Sequence, residues 1–408
     1  MKPLDKKYAE LLIGTGVNVQ KGQTLIINAD PIHYEFVEVL TETAYEKGAR
    51  KVIIEFGSEA LSRLHYKYRS LEDVTEVPEW EVAKYDSYLS EDLCKLALRS
   101  PNPGIMDDVD SKVISAATQA RGVALERYQR YSMNSEGQWL VCAYPTHAWA
   151  QKVFPELDAQ EAYDKLYDQI LYASRVGVDN NPEQEWVTHN AQLAKQNAAL
   201  NAYDFSSVHF KNSLGTDITV GLVEGHIWSG GNEPGLNGIP FNANIPTEET
   251  FTTPDRMRVD GVVYNSLPLN NNGRLIDKFW LKFENGLVVD FDAEVGKEAL
   301  EQLLNTDENS RRIGEIALVS YDSPISNLGT LFYNTLFDEN ASCHLALGRG
   351  YPLIENGGRM SKQELLDRGI NQALIHVDFM FGTKDMKAVG ITKDGKEVDV
   401  IVEGNIVL

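Results

Sequence analysis

The chain has 408 residues, 43% hydrophobic and 24% charged, with 38 Lys and Arg against 60 Asp and Glu and a net charge of −22. That length and balance suit two or three globular domains, each able to bury a core. The negative charge excludes nucleic acid and anionic membrane surfaces as natural partners, because phosphates would be repelled.

Met1-Lys-Pro-Leu-Asp-Lys-Lys-Tyr8 has no apolar signal region, and no apolar run approaches the roughly 20 residues that span a bilayer. A cytoplasmic protein is the expectation. Three separated cysteines, Cys94, Cys142 and Cys343, form neither a disulfide framework nor a CxxC metal site. Asn340-Ala-Ser342 matches a glycosylation sequon, which has no bearing without secretion.

In chain order, Leu4 to Ile13 predicts an amphipathic helix ended by Gly14 and Gly16, and Gln23 to Ala29 a buried strand. His33 to Glu46 predicts a helix stopped at Gly48, and Lys51 to Phe56 a second strand. Strands follow at Leu93–Leu98 and Gln138–Ala143, with helices at Ser111–Arg130 and Gln160–Arg175. Strands alternating with helices imply a doubly wound, flavodoxin-like parallel sheet for residues 1–203. This half carries no G-x-G-x-x-G after a strand and no P-loop, so no nucleotide cofactor is expected. Asn180 to Ala202 predicts a long polar helix joining the halves, with His189 at the surface or an interface.

From 204 to 408 the texture becomes mixed α+β. Ser207–Asn212, Asp217–Leu222, Val259–Ser266, Leu275–Phe283 and Leu287–Phe291 are strand-like. Glu284-Asn-Gly286 is a hairpin signal, Val295–Leu304 reads as a helix, and Gly225–Pro246 as loop.

Three strand-like segments carry groups that should not be buried alone: Glu315 in Gly314-Glu-Ile-Ala-Leu318, His344 in Cys343-His-Leu-Ala-Leu347, and His376 with Asp378 in His376-Val-Asp-Phe-Met380. Residues two apart on a strand share a face, so His376 and Asp378 project together. A buried carboxylate is costly unless paired or metal-bound, and imidazole beside carboxylates is the usual set for zinc, cobalt or manganese. Glu248 and Glu249 add an acidic pair before Phe251-Thr-Thr-Pro254. Each signal has a plainer reading: an exposed acidic turn for Glu248–Glu249, a core histidine for His344, a helix face for Glu315. Cys343 beside His344 would point to the opposite face, which argues against a Cys/His nucleophile.

Taken together, PTEETFTTPDRMRVDG, SPISNLGTLFYNTLFDENASCHLALGRGYP and HVDFMFG are similar to the thermophilic-type metalloaminopeptidases, the family of aminopeptidase T, aminopeptidase S and PepS. The resemblance covers essentially the whole chain and is densest from Asn244 to Gly382. It implies a two-metal exopeptidase whose ligands are Glu249, Glu315, His344, His376 and Asp378. Tyr351 matches a tyrosine over the metals, and Glu339 an acidic position near them, as ligand or base. Thr250, where relatives often carry an apolar residue, is a small departure.

The implied cofactors are two divalent ions per chain (zinc, cobalt or manganese, with magnesium admissible), held about 3.5 Å apart with Glu315 as the bridge. The implied partners are short peptides with a free N-terminus and a second copy in a homodimer. Two rivals stand beside this reading: another dinuclear hydrolase, such as an amidase or phosphoesterase, or an inactive metal-binding relative. The other histidines, His33, His65, His147, His189, His209 and His226, lie outside the matched segments and read as structural or surface residues. Asp277, Asp290 and Asp292 read as solvated strand faces.

Overall fold

The computed structural model describes residues 2–408. Four strands, β1 (Thr24–Ala29), β2 (Lys51–Phe56), β3 (Leu93–Arg99) and β4 (Trp139–Ala143), form a parallel sheet in the order β2-β1-β3-β4. β1 and β3 are apolar and buried along most of their length, as strands covered on both faces should be. A flavodoxin-like sheet starts with the same strand order.

Two sequence expectations in this half are revised, and one helical region was not foreseen. Gly14 and Gly16 do not stop the first helix. Asp5–Leu11 runs on into a π turn, Leu12–Gly16, closed by Val17 N–H to Leu12 O at 2.8 Å. Gly16 instead packs closely against Leu140, whose Cδ2 would lie 2.6 Å from a Cβ placed there. The Ser111–Arg130 helix is two helices, Ser111–Ala124 and Glu126–Met133, broken where Leu125 leaves helical dihedrals. Between β2 and β3 lie helices Glu59–Tyr68, Leu71–Thr75 and Glu79–Tyr88. Neither ten-residue helix buries a residue, so no core-facing stripe announced them.

The chain forms two compact units that interleave in sequence. One holds the residues up to Ile105, Ala124–Gln192 and Gly231–Thr247; the other holds Met106–Val123, Leu193–Gly230 and Glu248–Leu408. A single cut after 203 does not separate them. The stretch expected as loop returns to the first unit, where the short hairpin Asn232–Pro234/Pro240–Asn242 leads into a pairing with β4. Val141 N–H donates to Ala243 O at 2.7 Å, and Ile245 N–H to Val141 O at 3.1 Å, which covers the edge of the sheet. Residues 106–123 join the second unit through Arg274 Nη1 to Val109 O at 2.9 Å and Gln119 Nε2 to Thr306 O at 3.0 Å. The long helix Pro182–Tyr203 contributes to both units.

The second unit is built on a nine-stranded antiparallel sheet. Its main path runs Leu269–Asn271, Arg274–Glu284, Pro254–Tyr264, Asp217–Leu222, Phe205–Lys211, Lys387–Thr392, Glu397–Val402 and Asn405–Ile406, and Leu287–Val295 pairs with Arg274–Glu284. Asn285 and Gly286 both have positive φ, 50° and 76°, the geometry a two-residue hairpin turn demands.

A smaller antiparallel sheet has the order His376–Met380, His344–Gly348, Ile313–Leu318, Thr250–Thr252. Strand alternation gives it two unlike faces. Ile316, Leu318, Leu345, Leu347 and Phe379 belong to the apolar core shared with the large sheet, and the Phe379 and Phe279 rings meet edge to face at 5.6 Å. Each such side chain stabilises by roughly 1.5–3 kcal/mol on burial. That apolar face anchors the strands while Glu315, His344, His376 and Asp378 project from the other.

Candidate metal centre

Register brings these four residues together. Glu315 pairs with Ala346, which pairs with Asp378; His344 pairs with Ala317, and His376 with Gly348. Each of these four residues thus has an alanine or glycine on one side, while His344 has Met380 on its other side. Directly opposed Cβ atoms sit about 4.5–5.5 Å apart, so a larger neighbour would fill the space between the functional groups. Gly348 is also obligatory for its backbone, at φ 101° with a built Cβ 2.2 Å from Ile375 O. Glu249, immediately before Thr250–Thr252, completes the group from the sheet's other edge.

Ligand atoms of Glu249, Glu315 and His344 lie within 4.8 Å of one another, as do those of Glu315, His376 and Asp378. Glu315 belongs to both sets. Its Oε1 is 3.6 Å from His344 Nε2 and its Oε2 is 3.5 Å from His376 Nε2. His344 Nε2 is 3.0 Å from Glu249 Oε2, and His376 Nε2 is 3.4 Å from Asp378 Oδ1. Glu249, Glu315 and His344 are buried, whereas the His376 and Asp378 side chains keep 18% and 14% exposure, so the cluster opens on their side.

Backbone carbonyls orient both imidazoles. His344 Nδ1–H donates to Glu339 O at 3.0 Å and Ser342 O at 3.1 Å, and His376 Nδ1–H donates to Arg349 O at 2.7 Å. A carbonyl only accepts, so the proton is on Nδ1 in both rings and each Nε2 faces the cluster, as in metal-ligating histidines.

The electrostatics are those of crowded, buried acids. Burial pushes the Glu315 carboxyl up to about 7, against a hydrogen bond from His344. Burial raises Glu339 well above the carboxylate range, and the charges of Asp378 and Glu249 add to it. Burial opposes protonation of His376, but Asp378 and Glu315 carry it up to about 9. For Asp378 burial acts upward, and His376 outweighs it and holds the carboxyl below its usual range. Glu315 Oε2 and Asp378 Oδ1 are buried without a hydrogen-bond partner. Carboxylates outnumber imidazoles here, and orphaned acceptors of this kind fit divalent cations.

Tyr351 meets His376 edge to face at 5.1 Å and Phe251 at 5.6 Å. Burial, then the charges of Glu315, Asp378, Glu249 and Glu339, raise its phenol well above the ordinary value, which keeps it a hydrogen-bond donor. Glu339 is buried in the turn before His344. Asp338, beside it, accepts from Phe332 N–H at 2.8 Å and Asn334 N–H at 2.9 Å and so pins the preceding loop.

All seven residues singled out in the sequence therefore belong to one neighbourhood of the second unit. Cys343 does not join them. Its thiol lies 3.3 Å from Val319 O and 3.4 Å from Val319 N, and burial pushes it up to about 11. His189, expected at a surface or interface, is buried, with Nε2–H donating to Thr247 O at 2.8 Å and Nδ1 accepting from Arg175 at 3.0 Å. Sequence reasoning missed the small cross-strand partners Ala317, Ala346 and Gly348, and the carbonyls that orient the imidazoles. The small partners depend on register, and the carbonyls on how the turn before His344 and the residue after Gly348 fold.

Known proteins resemble this chain along its whole length. The thermophilic metalloprotease (M29) family model matches residues 2–406. Aminopeptidase 2 of Geobacillus stearothermophilus is 44% identical over 405 residues, covering 99% of this chain and 97% of its own length. Aminopeptidase AmpS of Bacillus subtilis is 42% identical over 399 residues, covering 98% and 97%. The solved structure of wild-type AmpT from Thermus thermophilus superposes with a TM-score of 0.88 at 36% identity, covering 99% of each chain. With a family model spanning nearly every residue and relatives above 40% identity end to end, the chain belongs to the thermophilic metalloprotease (M29) family.

Proposed function

We propose that this chain is a metal-dependent aminopeptidase that releases N-terminal residues from short peptides at a centre for two divalent cations. One observation carries the number two: Glu315 offers one oxygen to a group with Glu249 and His344, and the other to a group with His376 and Asp378. The donor set suits zinc, cobalt or manganese. Such ions supply an acidified water and Lewis acidity toward the scissile carbonyl.

The chain's own groups do the rest. A carboxylate oxygen left unligated beside the ions would hold the ammonium of a free peptide N-terminus and so restrict cleavage to the first bond. Glu339, ionised once cations offset the neighbouring acids, would take a proton from the attacking water and deliver it to the leaving amine. Tyr351 donates its phenolic proton in a hydrogen bond to the developing oxyanion. The aminopeptidase names of relatives similar over their full length support this substrate class. Three buried free thiols fit a reducing compartment such as the cytoplasm, and the family resemblance supports a homodimer. No helix among the described residues is long and apolar enough to cross a membrane.

The test is hydrolysis of paired free and N-acetylated dipeptides and aminoacyl-anilides by protein stripped with chelator and re-supplied with single metals. Cleavage restored by metal and confined to free amino termini is expected. Equal cleavage of acetylated substrates would replace this reading with a broader amidase. Two bound ions without cleavage of any peptide would remove the peptidase.

A further inference from the structure

Asn340, the residue of the glycosylation sequon, is fully buried and out of reach of any glycan. Its side chain instead makes three hydrogen bonds beside the metal centre. Oδ1 accepts from Glu248 N–H at 2.7 Å, the peptide that leads into Glu249. Nδ2 donates to Leu336 O at 2.8 Å and to Glu339 Oε1 at 3.4 Å. The Glu248 amide can only donate and the Leu336 carbonyl can only accept, so the orientation of the amide is fixed.

We propose that Asn340 is a positioning residue that locks Glu339 and the chain entering Glu249 onto one buried turn. The two segments lie about ninety residues apart in the chain, and a single side chain spans them. Because the amide donates to Oε1, the second oxygen of Glu339 stays free for proton transfer. Because it accepts from Glu248, it sets where the Glu249 strand begins. The Glu339 part rests on the role proposed for that residue above; the Glu249 part rests on hydrogen bonding alone. Neither Ser nor Asp can replace it, since a hydroxyl is too short to reach both segments and a carboxylate cannot donate.

The experiment compares Asn340→Asp and Asn340→Ser with wild type by steady-state kinetics at saturating metal and by competitive-chelator titration of metal affinity. Asn242→Ala serves as control: Asn242 is a buried asparagine of the first unit, bonded to Asn190 at 2.9 and 3.1 Å. The Asn340 variants should lose roughly 10–100-fold in kcat, with KM little changed, and should need more free metal for half-occupancy. Asn242→Ala should lose thermal stability while keeping kcat and metal affinity. Folded Asn340 variants with wild-type kcat and metal affinity would overturn the proposal. Failure of both to fold, while Asn242→Ala folds, would overturn it too, by assigning Asn340 to stability. Glu339→Gln is measured alongside. If it keeps wild-type kcat, the role of Glu339 falls and Asn340 is judged on metal affinity alone.

Discussion

Glu315 Oε1 lies 3.6 Å from His344 Nε2, while the other oxygen of the same carboxylate lies 3.5 Å from His376. One buried acid thus faces imidazoles from the next two strands of a sheet whose opposite face packs largely into the apolar core. Removing its charge while keeping its shape is the most direct test of the centre. Glu315→Gln should lower kcat/KM by more than about 100-fold, beyond the usual cost of losing an outer-shell partner. Elemental analysis should show fewer than two metals per chain. Full metal content with full activity would sink the bridging assignment.

The small residues between the ligands are tested by filling them. Ala346 separates Glu315 from Asp378 in register and is fully buried. Ala346→Val should cost about 1–3 kcal/mol from overpacking. Metal binding should fall far more than that stability loss explains, because the added methyls enter the space between the two carboxylates. Chelator titration beside a thermal melt separates the two effects. Normal metal affinity in a destabilised protein would mean that Ala346 serves packing alone.

Tyr351 is close to the cluster without offering a carboxylate or imidazole. Tyr351→Phe keeps the ring against His376 and removes the hydroxyl. Turnover should drop by about 100-fold or more, the usual cost of an oxyanion donor, with metal content and KM nearly unchanged. Unchanged turnover would take the phenol out of the reaction.

Acid stability should depend on two histidines of the first unit. His33 and His189 are buried, and burial lowers each from 6.5 to about 4. For His189 a proton on Nδ1 would also displace the Arg175 hydrogen bond. The unfolded chain protonates these rings below about 6.5 and the folded chain only near 4, so stability falls as pH drops through that window. Each should cost about 2 kcal/mol at pH 5 relative to pH 7. His189→Gln, which can still donate to Thr247 O, should flatten the decline in urea-melt stability between pH 7 and 5. An unchanged slope would show that the histidine is not responsible.

Much of the site was legible before any coordinates. Acids and imidazoles in strands that are otherwise apolar are costly without a purpose, and the two-residue spacing of His376 and Asp378 puts both on one face of a strand. Asn285-Gly286 announced its turn because only certain residues accept positive φ twice in succession. The parallel sheet was readable from strands alternating with helices. The helices between β2 and β3 were not, since their apolar residues follow no buried stripe.

Sequence by itself determined which groups could do chemistry, because charge, imidazole basicity and strand periodicity are local properties. Tertiary structure alone decided that Glu249, Glu315, His344, His376 and Asp378 converge across 130 residues of chain, that alanine and glycine stand between them, and that three backbone carbonyls turn each Nε2 inward. Register decides the first two, and the turns beside His344 and Gly348 decide the third. Sliding one strand by a single residue would send its ligands into the core, and nothing within a strand records which partner it will meet.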